Sequence, residues 1–566
     1  MPIASTPELQ ALQASLLDWA KRTGAIDRAR ASEASPAPRD PSVFEIFGPA
    51  EAVGGSVAAV AAAAEQLAAS LVPGPVMPTL LAAVAGVEAE AVALEPGTLT
   101  GTTRVTGETG PVLGAGAGTA LLLTSDDHWF VVDPATPGVT LTPLTPLDFS
   151  RDLATVRLDD VAVEPIEGLT TARVRDLAAT LFAAEAAGVA AWCSATATEY
   201  AKTRRQFGKL ICEFQAVKHL CAFMHCRVER AAALAWDAAR AADEDPARFP
   251  RAAAAAAGAL DDAVENAKDC IQVLGGIGFT WEHDAHLYLR RAVALRALCP
   301  RAAAGHGGPG GSGGMESPQE QGGSGGDRPP EGKGIGAWAV PAIAAHGTQA
   351  QRERFSDQGI VWCQLFSEPE AGSDLAGLRT RAVKVDGGWR LTGQKVWTSL
   401  ARQADWAICL ARTDPDVPKH KGLGFFLVDM HADGIEIRPL REITGRSMFN
   451  EVFLDDVFVA DDCLVGGPGD GWRVAITTLG TERETLSGED VLAIRGAHPA
   501  VRKLLGVERR QAEAEAALTA LGTAGAVASE QSQDFLLTRC LSIAGGTTQV
   551  LLNQVAERVL GLPREK

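Results

Sequence analysis

The sequence predicts an α+β chain that carries one plan twice: helices, a short-stranded antiparallel barrel-like sheet, then a helical bundle, with the second copy shortened. Three observations predict it. Residues 129–163 align without a gap on 425–459 at a constant offset of 296, with 12 of 35 positions identical. Residues 304–334 are nearly all Gly, Pro, Ser and polar, too apolar-poor to offset their ordering entropy, and read as a flexible linker. Within each half, Ala-rich helical stretches flank short runs of alternating apolar and polar residues.

Taken in order, residues 1–90 form a shortened helical N-terminal domain, 91–166 a first sheet and 167–303 a helical bundle. After the linker come a remnant helical segment at 335–357, a second sheet at 358–466 and a shortened helical region at 467–566. RAVKVDGGWRLTG (381–393) is a hairpin around Asp386-Gly387-Gly388. Strands that follow one another without intervening helices point to antiparallel sheets. Arg291 in LYLRRAVAL pairs with Arg539 in FLLTRCLSI at an offset of only 248, so the second copy lacks about 296 − 248 = 48 helical residues, by natural deletion or because the chain is incomplete.

Composition excludes several classes. A net charge of −18 over 566 residues, with no basic face, argues against nucleic-acid and anionic-membrane partners. Ten dispersed cysteines include no CxxC and no zinc spacing, so no metal is expected; Cys221 and Cys226 read as buried thiols. MPIASTPELQALQASLLDWAKR lacks the apolar core of a signal peptide, and no uncharged 18-residue apolar run suggests a membrane span. A reduced, cytoplasmic protein is expected.

The chemistry-bearing segments lie in different copies. In the second, QLFSEPEAGSD (364–374) leaves a strand and turns sharply at Pro369 and Gly372, offering Ser367 and Ser373; GQKVWTSL (393–400) follows with Trp397 and Ser399. A small hydroxyl beside a large aromatic suits a flat, partly polar heteroaromatic ligand. Read alone, each segment is equally a buried Trp and two turn serines. In the first copy, RRQFG and QVLGGIGF supply Arg204, Gln206, Gln272, Gly275 and Gly276. An arginine fork suits a pyrophosphate and paired glycines admit close backbone approach, although an exposed helix charge and a helix C-cap read the same residues.

Together these segments, with GWRVAITTL and the C-terminal GTTQVLLNQVAERVLGLPRE, resemble the acyl-CoA dehydrogenase family. The resemblance spans about 110–300 and 335–566 and implies FAD, an acyl-CoA thioester and α,β-dehydrogenation. It implies cofactor contacts at Gln364, Phe366, Ser367, Ser373, Trp397, Ser399, Thr547 and Gln549. Arg204, Gln206, Gln272, Gly275 and Gly276 match family residues that reach a neighbouring subunit's FAD. Ser373 and Arg483 would also meet substrate. The first copy has no EPxxGSD and no W-x-S/T, and the second no RxxFG and no LGGxG, so one FAD per chain is expected, shared across the copies or across a dimer.

The resemblance points to a base when two positions are compared. One branch of the family places it immediately before the G-T of the C-terminal loop, where this chain has Gly545. The other uses a glutamate followed by arginine on the first helix after the sheet, which TTLGTERETLSG (477–488) supplies as Glu482-Arg483. On a helical wheel Glu482 borders the apolar stripe and Glu484 lies outside it, solvated. The first copy has Ala178-Ala179 near the corresponding place, with Glu185 beyond as a structural residue, and reads as catalytically silent. One competent and one silent partner resemble the heteromeric acyl-CoA dehydrogenases of bacterial sterol side-chain degradation, here fused, which implies a steroid-CoA substrate, an electron-transfer flavoprotein or similar acceptor, and a homodimer of the fused chain. A non-catalytic FAD- or CoA-binding scaffold and an acyl-CoA oxidase are the alternatives.

Overall fold

A computed structural model describes residues 6–34, 56–116, 119–299, 336–355, 359–487 and 497–563. The expected linker 304–334 and the side chain of Glu484 lie outside the described residues. Helices Pro7–Arg22, Ala25–Ala31, Val57–Ala69 and Val76–Val84 precede a seven-stranded sheet, and helices Thr171–Thr203, Gln215–Glu244, Phe249–Ala256, Gly258–Leu274 and Ala285–Leu298 follow it. The second copy opens with Gly336–His346 and Gln349–Arg354, continues as an eight-stranded sheet and closes with Gly471–Ser487, Pro499–Thr519, Glu530–Leu537 and Thr548–Gln554.

The two sheets share most of their strand pairings, although the second has an extra strand, Arg381–Val385, between its halves. Leu153–Ala162 and Phe449–Ala460 occupy the same place, each pairing antiparallel with its preceding strand and with a strand further back. The expected hairpin is present, with Val385 opposite Gly388 and Gly387 at φ +71°. The expectation of purely antiparallel sheets needs correction. Ala91–Val92 pairs parallel with Leu121–Ser125, and Trp362–Leu365 pairs parallel with Trp406–Arg412. Each is the first strand of its copy and arrives from a helical segment, so no hairpin sets its direction.

Thr171–Thr203 is the central element of the bundle. Thr170 caps its start by accepting the Arg173 N–H at 3.2 Å, and alanines dominate its length. Gly188 lets it close on Val57–Ala69: a Cβ there would lie 2.0 Å from the Glu65 carbonyl oxygen. Among the described residues it is the one helix long and apolar enough to cross a membrane, and 89% of its most apolar stretch is buried inside the protein. Cys221 on the neighbouring helix is half-buried and Cys226 exposed, so the expectation of two buried thiols fails there: Cys226 faces away from Thr171–Thr203.

The copies interlock reciprocally. Leu147 N–H donates to the Ala526 carbonyl and Ala528 N–H to that of Thr145, both at 2.8 Å. At positions 296 further on, Ile443 N–H donates to Phe279 (3.1 Å) and Trp281 N–H to Arg441 (3.0 Å). The connection before the long strand 153–162 or 449–460 of each sheet therefore grips the glycine turn of the other copy. These pairings place LGTAG (521–525) where the first copy has LGGIG (274–278), with Gly522 at φ +57° and Gly275 at φ +65°. The second copy thus has the turn without the LGGxG motif, and lacking the second glycine it is hard to see in sequence.

Candidate active site

The turn after Trp362–Leu365 is fixed from beneath by a buried ion pair that sequence reading missed. Glu368 accepts from the Arg379 and Thr380 N–H groups and from Lys395 Nζ, at 2.6, 2.9 and 2.9 Å. Lys395 also donates to the carbonyls of Phe366 (3.1 Å) and Leu410 (2.8 Å). Burial pushes the Glu368 carboxyl up, but Lys395 and the Thr380 and Arg379 hydrogen bonds outweigh it and hold the group below its usual range. Ser367 is half-buried and Ser373 exposed. Phe366 is not brought to the cleft: its ring is buried edge-on against Phe425 at 5.9 Å, because the strand's pleat turns it into the sheet core.

Trp397 sits at a break in the ladder. The register of Gly388–Ser399 against Phe449–Ala460 shifts between Lys395 and Thr398, and Trp397 takes φ +65°. Such a bulge re-aims one side chain. The indole packs on Phe449 (5.4 Å) and on Phe279 of the first copy (6.2 Å). Gly276 backs against it, and Ser399 lies half-buried two residues on.

The first copy's motif residues converge on this sheet within the same chain. Arg204 donates to the Pro369 carbonyl at 2.9 Å. Gln206 donates to the Glu370 carbonyl and accepts from Asp374 N–H, both at 2.9 Å. Gln272 donates to Gln549 Oε1 at 3.1 Å and accepts from Ser542 Oγ at 2.6 Å. Thr547 caps the last α-helix, accepting from Val550 N–H at 3.4 Å.

Glu482 is 7% exposed, and its Oε2 has no hydrogen-bond partner. Gln364 reaches the carboxyl with its side chain, while its own Oε1, also buried, is unpartnered; so is Thr478 Oγ1, one helical turn before Glu482. Buried polar atoms are rarely left unsatisfied, and here two more lie close to the carboxylate's own unpartnered oxygen. Burial pushes the Glu482 carboxyl up; Lys503, Gln364 and Arg483 pull it partly back. Arg483 Nε donates to the Gly545 carbonyl at 3.4 Å, so Glu482 stands beside the loop position from which the other family branch would supply its base. Gly545 has φ +62°, a conformation that disfavours a glutamate there. Thr478 and Lys503 were missed, being ordinary polar residues of amphipathic helices.

The ladders identify the first copy's counterparts. Val112 pairs with Ala154 and Thr398 with Asn450, 296 positions on, which places Pro111-Val112-Leu113 where the second sheet has Trp397-Thr398-Ser399. By the same logic Val92 stands in place of Gln364. Helices Thr171–Thr203 and Gly471–Ser487 start 300 apart with Arg-Val at the same depth, so Phe182, rather than Ala178-Ala179, answers to Glu482. Glu185 is structural, as expected: buried, it pairs with Arg151, next to an Asp148–Arg291 pair.

Comparison with known proteins finds one family segment in each copy. The family model for the acyl-CoA dehydrogenase middle domain matches residues 363–457, in the second copy, and that for the C-terminal domain matches 174–298, in the first. Acyl-CoA dehydrogenase FadE34 of Mycobacterium tuberculosis is 44% identical over 643 aligned positions, covering 90% of this chain and 90% of that protein. The chain belongs to the acyl-CoA dehydrogenase family. Acyl-CoA dehydrogenase IpdE1 of the same organism is 37% identical over 285 residues, 40% of this chain and 74% of that one. The solved butyryl-CoA dehydrogenase of Megasphaera elsdenii is 22% identical, with a TM-score of 0.45, covering 52% of this chain and 95% of that chain. This acyl-CoA dehydrogenase is thus a flavoprotein oxidoreductase that uses FAD to dehydrogenate acyl-CoA thioesters.

Proposed function

We propose that one composite site per chain, built from the second sheet and the first bundle, desaturates the acyl-CoA between Cα and Cβ, with Glu482 as base. The buried, unpartnered Oε2 of Glu482 carries this reading. The residues present fit FAD: Gln364 Oε1 waits unpartnered, Ser399 offers a hydroxyl beside Trp397, and Gly276 keeps the wall at Trp397 thin. Bound FAD supplies the acceptor for the β-hydrogen as hydride. Trp397, Ser399, Ser367, Ser373 and the backbone at Phe366 would hold it from the second copy; Arg204, Gln206, Gln272, Gly275 and Gly276 from the first; Thr547 and Gln549 from the last helix.

Glu482 takes the α-proton on Oε2. Once substrate has excluded water, the raised affinity of its carboxylate for protons makes it a stronger base. Among the described residues the second copy has no counterpart of helix Gln215–Glu244, and this difference between the copies supports a bulky acyl group. A steroid-CoA with a shortened side chain is the proposed substrate, an electron-transfer flavoprotein the proposed acceptor, and a cytoplasmic homodimer of the fused chain the working form. The division into domains at 90, 166, 303, 334, 357 and 466 belongs to the same reading. Titrating the yellow holoenzyme anaerobically with acyl- and steroid-CoAs tests it: bleaching by a steroid-CoA supports the assignment, and a colourless protein that takes up no FAD overturns it in favour of a scaffold. Peroxide released without an added acceptor would indicate an oxidase.

A further inference from the structure

The loop at 544–546 is held by two cations. Lys503 Nζ donates to the carbonyls of Ala544 and, at 2.8 Å, Gly546; Arg483 Nε takes the carbonyl between them. Gly545 and Gly546 lie at φ +62° and +99°, so the loop turns its carbonyls inward along a path that L side chains resist. Lys503 is 1% exposed, on helix Pro499–Thr519, which packs directly against the helix of Glu482. A buried ammonium needs partners, and two carbonyls alone leave its charge uncompensated.

We propose that Lys503 is a positioning residue for the dehydrogenation: its ammonium, on the helix packed against that of Glu482 and fixed by the 544–546 carbonyls, keeps that carboxylate ionised at working pH. The proposal rests on the reading of Glu482 as base. The groups involved face one another from several elements. Glu482 meets Lys503 and Arg483; Lys503 meets Glu482, Arg483, Arg510 and the Cys540 thiol; Arg483 also faces Arg558. Burial brings Lys503 down to about 8, so it is charged through neutral pH and discharges on the alkaline side. Burial by itself favours the protonated form of Glu482, and the charge of Lys503 offsets that. Arg483 acts in the same direction but less than Lys503, and its Nε is engaged with the Gly545 carbonyl.

An infrared titration of the holoenzyme tests this without turnover. The carboxylic-acid band lost in Glu482→Gln is assigned to Glu482 and followed against pH. Lys503→Gln keeps donors for the carbonyls but no charge, and should raise the band's midpoint by about one pH unit or more. Lys503→Arg should leave it in place. Lys503→Met is made as well, so that one folded uncharged variant suffices. An unmoved midpoint in the uncharged variants overturns the proposal, as does an equal displacement in Lys503→Arg, which would trace the effect to packing. Undiminished turnover in Glu482→Gln would instead remove the base assignment, whatever the band does.

Discussion

Gly276 of the first copy lies directly against Trp397 of the second: a Cβ at 276 would fall 2.7 Å from the indole Nε1. Phe279 and Phe449 hold the indole from other sides, so it cannot retreat. Overpacking such a contact costs about 1–3 kcal/mol, roughly tenfold or more in affinity. Gly276→Val should therefore weaken FAD binding to the apoprotein by about tenfold or more while the far-ultraviolet spectrum is kept. Unchanged flavin affinity, read by fluorescence on reconstitution, would separate this wall from the cofactor.

Glu482→Gln should lower turnover by about 10²–10⁴-fold, the usual worth of a general base. Wild-type kcat should rise with pH through the raised pKa of Glu482, since only the ionised form accepts the proton. Stability runs the other way. With a folded pKa above the unfolded one, the carboxyl's contribution is full below the unfolded value and lost as pH rises through the folded one. At pH 8 the glutamine variant should therefore melt no lower than wild type; a marked drop in its Tm would show the ionised carboxylate to be stabilising.

Lys395→Met should be the most damaging change in the second sheet. It strips the buried partner from Glu368 and the donor from two carbonyls, a class of loss worth about 3–5 kcal/mol. Because Glu368 is held below its usual range, its contribution is present above the unfolded carboxylate pKa and fades as pH falls through the folded one. Denaturant melts at pH 7 and in acid should show the gap between wild type and variant narrowing in acid.

Arg290 marks the seam between the copies. It donates to the Leu147 carbonyl (3.1 Å) and to that of Ile443 (2.8 Å), residues 296 apart and equivalent under the duplication. Only a planar fork spans both, so Arg290→Lys should lose nearly as much as Arg290→Met, about 2–4 kcal/mol by differential scanning calorimetry. A lysine variant as stable as wild type would show that charge alone serves there.

What the sequence revealed tracks how local each signal is. The duplication was legible because strand 449–460 keeps its alternation and its Leu-Asp-Asp-Val core. Glu482 was legible because Gly545 stands empty, two facts 63 positions apart joined by one motif comparison. Lys503 was not, because a lysine in PAVRKLLGVERR has the same period as any solvated helix charge. The parallel first strands were hidden because alternation reports which face a residue occupies, never its neighbour's direction. Phe366 misled for a related reason: the motif places the turn but not the side of the pleat.

The two sheets make a final, quantitative prediction. Trp397, Thr398, Ser399, Gln364 and Glu482 are answered in the first copy by Pro111, Val112, Leu113, Val92 and Phe182. Every hydrogen-bonding or stacking group is replaced there by an apolar one, and Pro111 also removes an N–H. Nearby, Asp148, Arg151, Glu185 and Arg291 fill the interior with mutually paired charges, leaving no place for an anionic cofactor. Purified chain should hold one FAD, not two, by absorbance against protein concentration. Restoring Pro111→Trp and Leu113→Ser together should not add a second, because Phe182 and the charge cluster remain. A doubled flavin content in that variant would mean the first site had lost only its surface groups and kept its cavity.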